Sequence, residues 1–181
     1  MKIIVTPLQD CYIIEPTIFE DERGYFFEKY NEKKFEELTG INCHFVQDNI
    51  SKSSFGVVRG LHLQKGEHAQ AKLVSCLEGN VWDVAVDLRE DSPTFGKWFG
   101  IELTGENKLQ LYIPRGFGHG FSVISENAVF AYKCDNYYNK ESEGSIKFND
   151  EDLNIDWKLK EGEMILSEKD KHSPSFKDKN Y

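Results

Sequence analysis

Four side chains of this sequence, set far apart along it, are of the types needed to move a proton beside a carbonyl group. His62 stands in Arg59-Gly60-Leu61-His62-Leu63-Gln64, Lys72 in Ala69-Gln70-Ala71-Lys72-Leu73, Tyr132 in Ala131-Tyr132-Lys133-Cys134, and Asp170 in Ser167-Glu168-Lys169-Asp170. An imidazole titrates near neutral pH and accepts a proton, and a phenol can return one. Each residue also has an ordinary reading. His62 could satisfy a turn from inside the core, and Asp170, between Lys169 and Lys171, could be a surface acid. Lys72 opens a strongly apolar run, where an inward ammonium is costly unless it meets an anion, but a lysine also protects sheet edges. Tyr132 lies in an alternating run, and on the sequence alone it reads as a core aromatic with a satisfied hydroxyl.

The elements that must position these residues read as short strands. Apolar runs are separated by Gly, Pro, Asn and Asp at roughly ten-residue spacing, the punctuation of an all-β chain. Lys72 to Leu77, a turn at Glu78-Gly79-Asn80, and Val81 to Leu88 form the clearest hairpin. In its second arm Trp82, Val84, Val86 and Leu88 alternate with Asp83 and Asp87, which predicts one dry and one wet face. Further strands are expected at Tyr12 to Glu15, Tyr25 to Tyr30, His44 to Asn49, Val57 to Arg59, Trp98 to Leu103, Gln110 to Ile113, Phe121 to Ile124, Val129 to Cys134 and Met164 to Leu166. Asn31 as N-cap, Phe35 and Leu38 on one face, and Gly40 past the end predict a helix, one of only a few short ones. The polar stretch from Lys169 to Tyr181 reads as loosely held. So many short strands predict a two-sheet jelly roll or barrel.

Length and composition narrow the function. At 181 residues with 39% hydrophobic content, the chain fits one well-filled domain spanning residues 1–181. Its apolar runs are too short to span a bilayer and no basic-then-apolar signal precedes them, so we expect a cytoplasmic protein that does not enter membranes. Cys11, Cys43, Cys76 and Cys134 are scattered without a C-x-x-C pair, which predicts free, mostly buried thiols and no zinc knuckle. A net charge of −9 disfavours nucleic acid as a partner but leaves room for a phosphorylated small molecule where arginines gather. Jelly rolls of the cupin type often bind metal through H-x-H and a second-block histidine. Here His62-Leu63-Gln64 lacks the second histidine, and His62, Gln64 and the second-block His119 make a poor ligand set, so no metal is expected.

Many blocks, in order and nearly end to end, resemble the cupin-fold dTDP-4-dehydrorhamnose 3,5-epimerases. They include Asp21-Glu22-Arg23-Gly24 with Phe26 and Glu28, Phe45-Val46-Gln47-Asp48-Asn49, Arg59 to His62, Gln70-Ala71-Lys72, Val84 to Arg89, Ser92 to Gly96, Gly116-Phe117 with His119-Gly120-Phe121, Tyr132-Lys133, Tyr137-Tyr138 and Leu166 to Asp170. The resemblance implies a cupin-type jelly roll, a double-stranded β-helix, acting as a homodimer without cofactor on dTDP-4-keto-6-deoxy-D-glucose. It makes His62 the base, Asp170 its partner, Lys72 the enolate's cation and Tyr132 the acid. For substrate binding it implies Arg23, Arg59 and His119 at the diphosphate and Tyr138 stacked on thymine. Glu28, Gln47, Asp48, Asn49, Glu143 and Lys169 match further contacts, and Arg23, Phe26 and Glu28 would reach into the neighbouring subunit's site.

Departures from that pattern are few. Lys65-Gly66-Glu67 stands where a proline-rich loop is common, close enough to His62 to bear on sugar specificity. Competing readings are an epimerase acting only at C3 or on another nucleotide-linked 4-keto sugar, a 3,4-ketoisomerase, and a noncatalytic sugar-nucleotide binder. The ketoisomerases usually pair histidines in the first block, and a binder has little need of Lys72, Tyr132, Asp170 and His62 together.

Overall fold

The computed structural model describes residues 1–160 and 162–178. Its strands are β1 (Lys2–Val5), β2 (Tyr12–Glu15), β3 (Ile18–Asp21), β4 (Gly24–Phe27), β5 (Gln47–Ser54), β6 (Val58–Gln64), β7 (Lys72–Glu78), β8 (Asn80–Asp87), β9 (Trp98–Thr104), β10 (Gln110–Ile113), β11 (Phe117–Val123), β12 (Asn127–Cys134) and β13 (Glu143–Ser145). They form a six-stranded sheet in the order β1-β2-β10-β7-β12-β5 and a five-stranded sheet in the order β13-β6-β11-β8-β9. Among the described residues the hairpin β3–β4 pairs only with itself. The two large sheets face each other across one apolar cluster, to which Val74, Leu111 and Phe130 come from the first and Val81, Ala85, Phe117 and Phe121 from the second. This is the two-sheet jelly roll that the strand punctuation predicts, of the cupin type that the resemblance implies.

The helix forms as its caps dictate. In α1 (Glu32–Thr39) the Asn31 side chain accepts from Lys34 N at 3.1 Å, and Gly40, at φ 72°, donates to the Glu36 carbonyl at 2.8 Å. Phe35 is fully buried but Leu38 is 51% exposed, so the helix buries a narrower face than its apolar residues suggest.

Two expectations need correction. Asp83 and Asp87 do not face water: both are wholly buried, and β8 is dry on both sides. Their face looks into the barrel, where Asp83 meets His119, while Asp87 accepts from Arg89, Ser92 and Thr94. The stretch from Lys169 is not loose either, as far as residue 178. α2 (Glu168–Lys171) buries Asp170, Phe176 packs on the outer apolar cluster, and Lys147 N donates to the Pro174 carbonyl at 2.9 Å. Residues 179–181 lie outside the described residues.

Strand positions otherwise shift where polar sequence hides pairing. β5 runs through Ser51-Lys52-Ser53-Ser54 because it pairs with the whole of β12. The expected strand at Met164 to Leu166 is a single bridge, Val57 to Ile165. β1, β3 and β13 carry too little apolar alternation to announce themselves.

One local feature decides where β6 points its side chains. Its register with β11 pairs His119 with His62 and Phe121 with Arg59, so β6 carries an extra residue, a β-bulge at Gly60-Leu61. Strict alternation would send Arg59 and His62 to opposite faces. With the bulge both look into the barrel, while Val58, Leu61 and Leu63 pack outward against Ile146, Leu153 and Trp157. Gly60 has φ 116°, and a Cβ there would lie 2.6 Å from both Gly120 Cα and the His119 carbonyl. A Cβ on Gly120 would in turn meet the Arg59 carbonyl at 2.7 Å.

The Gly60→Ala change therefore adds a clash to a backbone conformation closed to side chains. We expect a loss of stability of roughly 2–5 kcal/mol in urea unfolding. Gly24→Ala, whose added Cβ meets nothing within 4 Å, should lose only the strain contribution.

Candidate active site

Two adjoining chambers, of about 180 and 140 Å³, open inside the barrel and share His62, Lys72 and Tyr132. The first is also lined by Ser51, Arg59, His119, Phe121 and Phe130. The second is lined by Gln47, Gln64, Gln70, Tyr138 and Glu143.

His62 and Tyr132 project from opposite sheets. His62, on β6, has its Nε2 2.5 Å from Asp170 Oδ1, and Ser167 Oγ donates to Asp170 Oδ2 at 2.7 Å. Burial of Asp170 would raise its pKa, but its hydrogen bonds with His62 and Ser167 outweigh that and hold the carboxyl below its ordinary value. An ionised carboxylate only accepts, so the neutral imidazole carries its hydrogen on Nε2 and leaves the Nδ1 lone pair free. The peptide order gives no hint of this pair, since 108 residues separate its members.

Lys72 and Tyr132 stand on neighbouring strands, β7 and β12, in a register that pairs Lys72 with Cys134 and Tyr132 with Val74. Neither the ammonium nor the phenol has a hydrogen-bond or ion-pair partner among the described residues. Burial pushes the Lys72 pKa down, opposed by Cys134 once its thiol ionises and by Asp83. Burial likewise raises that of Tyr132, with Arg59 opposing. The phenol thus keeps its proton at neutral pH, as a donor must.

His119 lies opposite His62 and is nearly buried, with Nε2 2.9 Å from Asp83 Oδ2. Burial lowers its pKa against the pull of Asp83, and Lys72 and His62 lower it further. In the neutral state its remaining nitrogen accepts; it becomes a second donor only when protonated. Asp83 Oδ1 has no hydrogen-bond partner among the described residues, although it is completely enclosed. Sequence reasoning missed Asp83 by assigning it to solvent; the available signal was an acid inside an otherwise unbroken apolar strand. Ser53, which accepts from Arg59 Nε and Nη2 at 3.2 and 3.1 Å, and Gln64, which accepts from Asn139 N at 2.8 Å, were also not singled out as site residues.

Of the other expected contacts, Lys169 is ion-paired to Glu143 at 2.7 Å beside the second chamber. Asn49 accepts from Gln47 Nε2 at 3.1 Å, on the inner face of β5. Asp48 points the other way and accepts from Lys133 Nζ at 2.7 Å. Arg23 and Phe26 line a separate surface hollow of about 370 Å³ on the β3–β4 hairpin, and Glu28 is tied to Lys34 at 2.8 Å. None of the three lines either chamber of its own chain.

A cupin barrel with an imidazole and a phenol on facing walls, and an ammonium in the same chamber without a partner among the described residues, has the groups of one class: isomerising proteins that move protons at carbon beside a carbonyl. The chain belongs to the dTDP-4-dehydrorhamnose 3,5-epimerase family, whose sequence model matches residues 5–178. The dTDP-4-dehydrorhamnose 3,5-epimerase of Salmonella typhimurium is 58% identical over 157 residues, covering 87% of this chain and 86% of its own. The crystal structure of the dTDP-4-dehydrorhamnose 3,5-epimerase of Elizabethkingia anophelis superposes with a TM-score of 0.98 at 79% identity, over 100% of this chain and 99% of that one. A dTDP-6-deoxy-D-glucose-3,5-epimerase from Legionella pneumophila, crystallised with dTDP-4-keto-L-rhamnose, gives 0.92 at 54% identity, over 96% and 92%.

A half-buried ammonium without an anion costs stability when no ligand is bound. Lys72→Met should therefore stabilise the free protein at pH 7 by roughly 1–3 kcal/mol while removing turnover. The folded pKa of Lys72 lies below that of the unfolded chain, so the unfolded state binds more protons between the two values. The cost is full below the folded pKa, falls as pH rises from that value toward the unfolded one, and is gone above it, so urea midpoints of the two proteins should converge toward pH 10.5.

Proposed function

We propose that the chain catalyses 3,5-epimerisation of dTDP-4-keto-6-deoxy-D-glucose to dTDP-4-keto-L-rhamnose, a step of dTDP-rhamnose synthesis. The observation that carries this reading is the placement of His62 and Tyr132 on facing sheets around one chamber. A ketone at C4 acidifies the protons on C3 and C5, because either carbanion spreads onto the ketone oxygen as an enolate. Inversion needs removal on one face and return on the other, which a single fixed base cannot perform.

His62 takes the carbon-bound proton on Nδ1, and Asp170 stabilises the imidazolium that results. Lys72 meets the developing negative charge on the C4 oxygen. Tyr132 gives its phenolic proton to the opposite face of the same carbon. Exchange with solvent then restores neutral His62 and protonated Tyr132, so the site is reset for the second carbon. No cofactor enters this scheme.

Arg59 supplies the guanidinium for the diphosphate, and His119 joins it when protonated, a state that a nearby phosphate favours. Tyr138 stacks on the thymine, and Gln47, Asp48, Asn49, Glu143 and Lys169 complete the contacts. Arg23, Phe26 and Glu28 act in the neighbouring subunit of a homodimer. That arrangement is supported by their distance from the chambers of their own chain and by Phe19 and Phe26, 61% and 70% exposed on a hairpin that pairs with neither large sheet. We read residues 1–181 as one domain, and four free, buried cysteines support a reducing, cytoplasmic setting.

Turnover of dTDP-4-keto-6-deoxy-D-glucose in deuterated water should place deuterium at both C3 and C5; label at C3 alone would make the protein a C3 epimerase. His62→Ala should abolish label uptake and inversion together, whereas Tyr132→Phe should lose about 10²–10⁴-fold in inversion yet retain exchange through His62. Undiminished C5 inversion by folded Tyr132→Phe would remove the tyrosine from the mechanism.

Mixing inactive Arg23→Ala and inactive His62→Ala subunits should regain activity, because one site of each mixed dimer is intact. Mixed dimers that form and stay inactive would refute the exchange of Arg23 between subunits.

A further inference from the structure

The loop after β6 carries His68, whose ring is held by two residues of the segment that bears Tyr138. Asn139 Nδ2 lies 3.2 Å from His68 Nε2, and Ser142 Oγ lies 3.1 Å from His68 Nδ1. The orientation of the Asn139 amide is set independently of the histidine. Its Oδ1 accepts from Glu141 N at 2.9 Å and Ser142 N at 3.2 Å, so turning the amide over would aim an NH₂ group at two N–H donors. Nδ2 must therefore face His68, and it can only donate. That makes Nε2 of His68 a bare acceptor and places the ring hydrogen on Nδ1, from where it is donated to Ser142 Oγ.

The same segment is fastened at two further points, where Tyr138 N donates to Gln47 Oε1 at 3.1 Å and Asn139 N to Gln64 Oε1 at 2.8 Å. Tyr138 itself is 51% exposed and belongs to none of the buried apolar clusters among the described residues. Its position over the second chamber depends on these polar ties.

We propose that His68, as the neutral Nδ1–H tautomer, is a positioning residue that pegs residues 139–142 to the loop after β6 and so sets the affinity for the nucleotide half of the substrate. This rests on the reading of Tyr138 as the base-stacking residue. Glutamine can present one acceptor and one donor as this tautomer does, lysine only donors, and leucine neither. These three replacements separate the hydrogen bonds from mere space filling.

The experiment is native-state hydrogen exchange on the free protein together with titration of dTDP and steady-state kinetics. In His68→Leu and His68→Lys the Asn139 and Ser142 amides should lose protection, and Kd for dTDP and KM should rise about tenfold, as loss of two ordinary hydrogen bonds allows, with kcat within about twofold. His68→Gln should restore all three quantities. Unchanged protection in His68→Leu, or a His68→Gln protein as impaired as His68→Leu, overturns the peg. Failure of the parent protein to bind dTDP would instead count against the nucleotide reading, and the exchange measurement would still decide the role of His68.

Discussion

The contact between β6 and β11 at Gly60 and Gly120 is the constraint on which the site depends. Two strands approach so closely there that a methyl group on either glycine would strike backbone. The approach accommodates one extra residue in β6 and turns His62 onto the same side as Arg59. Without it, His62 would face the outer apolar layer, away from Lys72 and Tyr132. The C-terminal segment then acts as a brace from behind: Ile146 exchanges two backbone hydrogen bonds with Leu61, and α2 presents Asp170 to the imidazole.

Electrostatics inside the barrel run against the sign of the whole. The chain carries a net −9, yet Arg59 and Lys72 line the first chamber without a carboxylate in ion-pair contact among the described residues. Asp83 and Asp170, the buried acids nearby, are each committed to a histidine. In the proposed reaction both cations are therefore left for an anion from outside. A phosphorylated substrate with a carbonyl that becomes an enolate supplies negative charge at two places, which matches a guanidinium and an ammonium set apart. Stability is sacrificed for this, since enclosing an unpaired charge is unfavourable until the ligand arrives.

The β3–β4 hairpin follows a different logic. A lone two-stranded ribbon is marginally stable in water, and this one displays Phe19, Tyr25 and Phe26 to solvent. Burial of those rings against a second copy would stabilise both the ribbon and the subunit contact, and would bring Arg23 to a site that its own chain does not build.

Much of the scaffold was legible without coordinates. Gly79 between two apolar runs marked the β7–β8 hairpin, Asn31 and Gly40 marked both ends of α1, and β2 and β10 fall where their short apolar runs lie, because these signals are local and the backbone obeys them locally. The residue types at His62, Lys72, Tyr132 and Asp170 named a possible chemistry, and the ordered blocks around them named a family. What the sequence could not decide was direction and distance. Alternation placed Asp83 in water, since a period of two says which residues share a face but not whether a second layer covers it. A bulge breaks that period at one point in β6 and leaves no mark in composition. The join of His62 to Asp170, across 108 residues, arises only when the C-terminal segment folds over the five-stranded sheet. Local pattern determined most of the inner strands; the closing of two sheets on each other decided which side chains meet, because that depends on long-range packing to which no single stretch of sequence contributes more than one side.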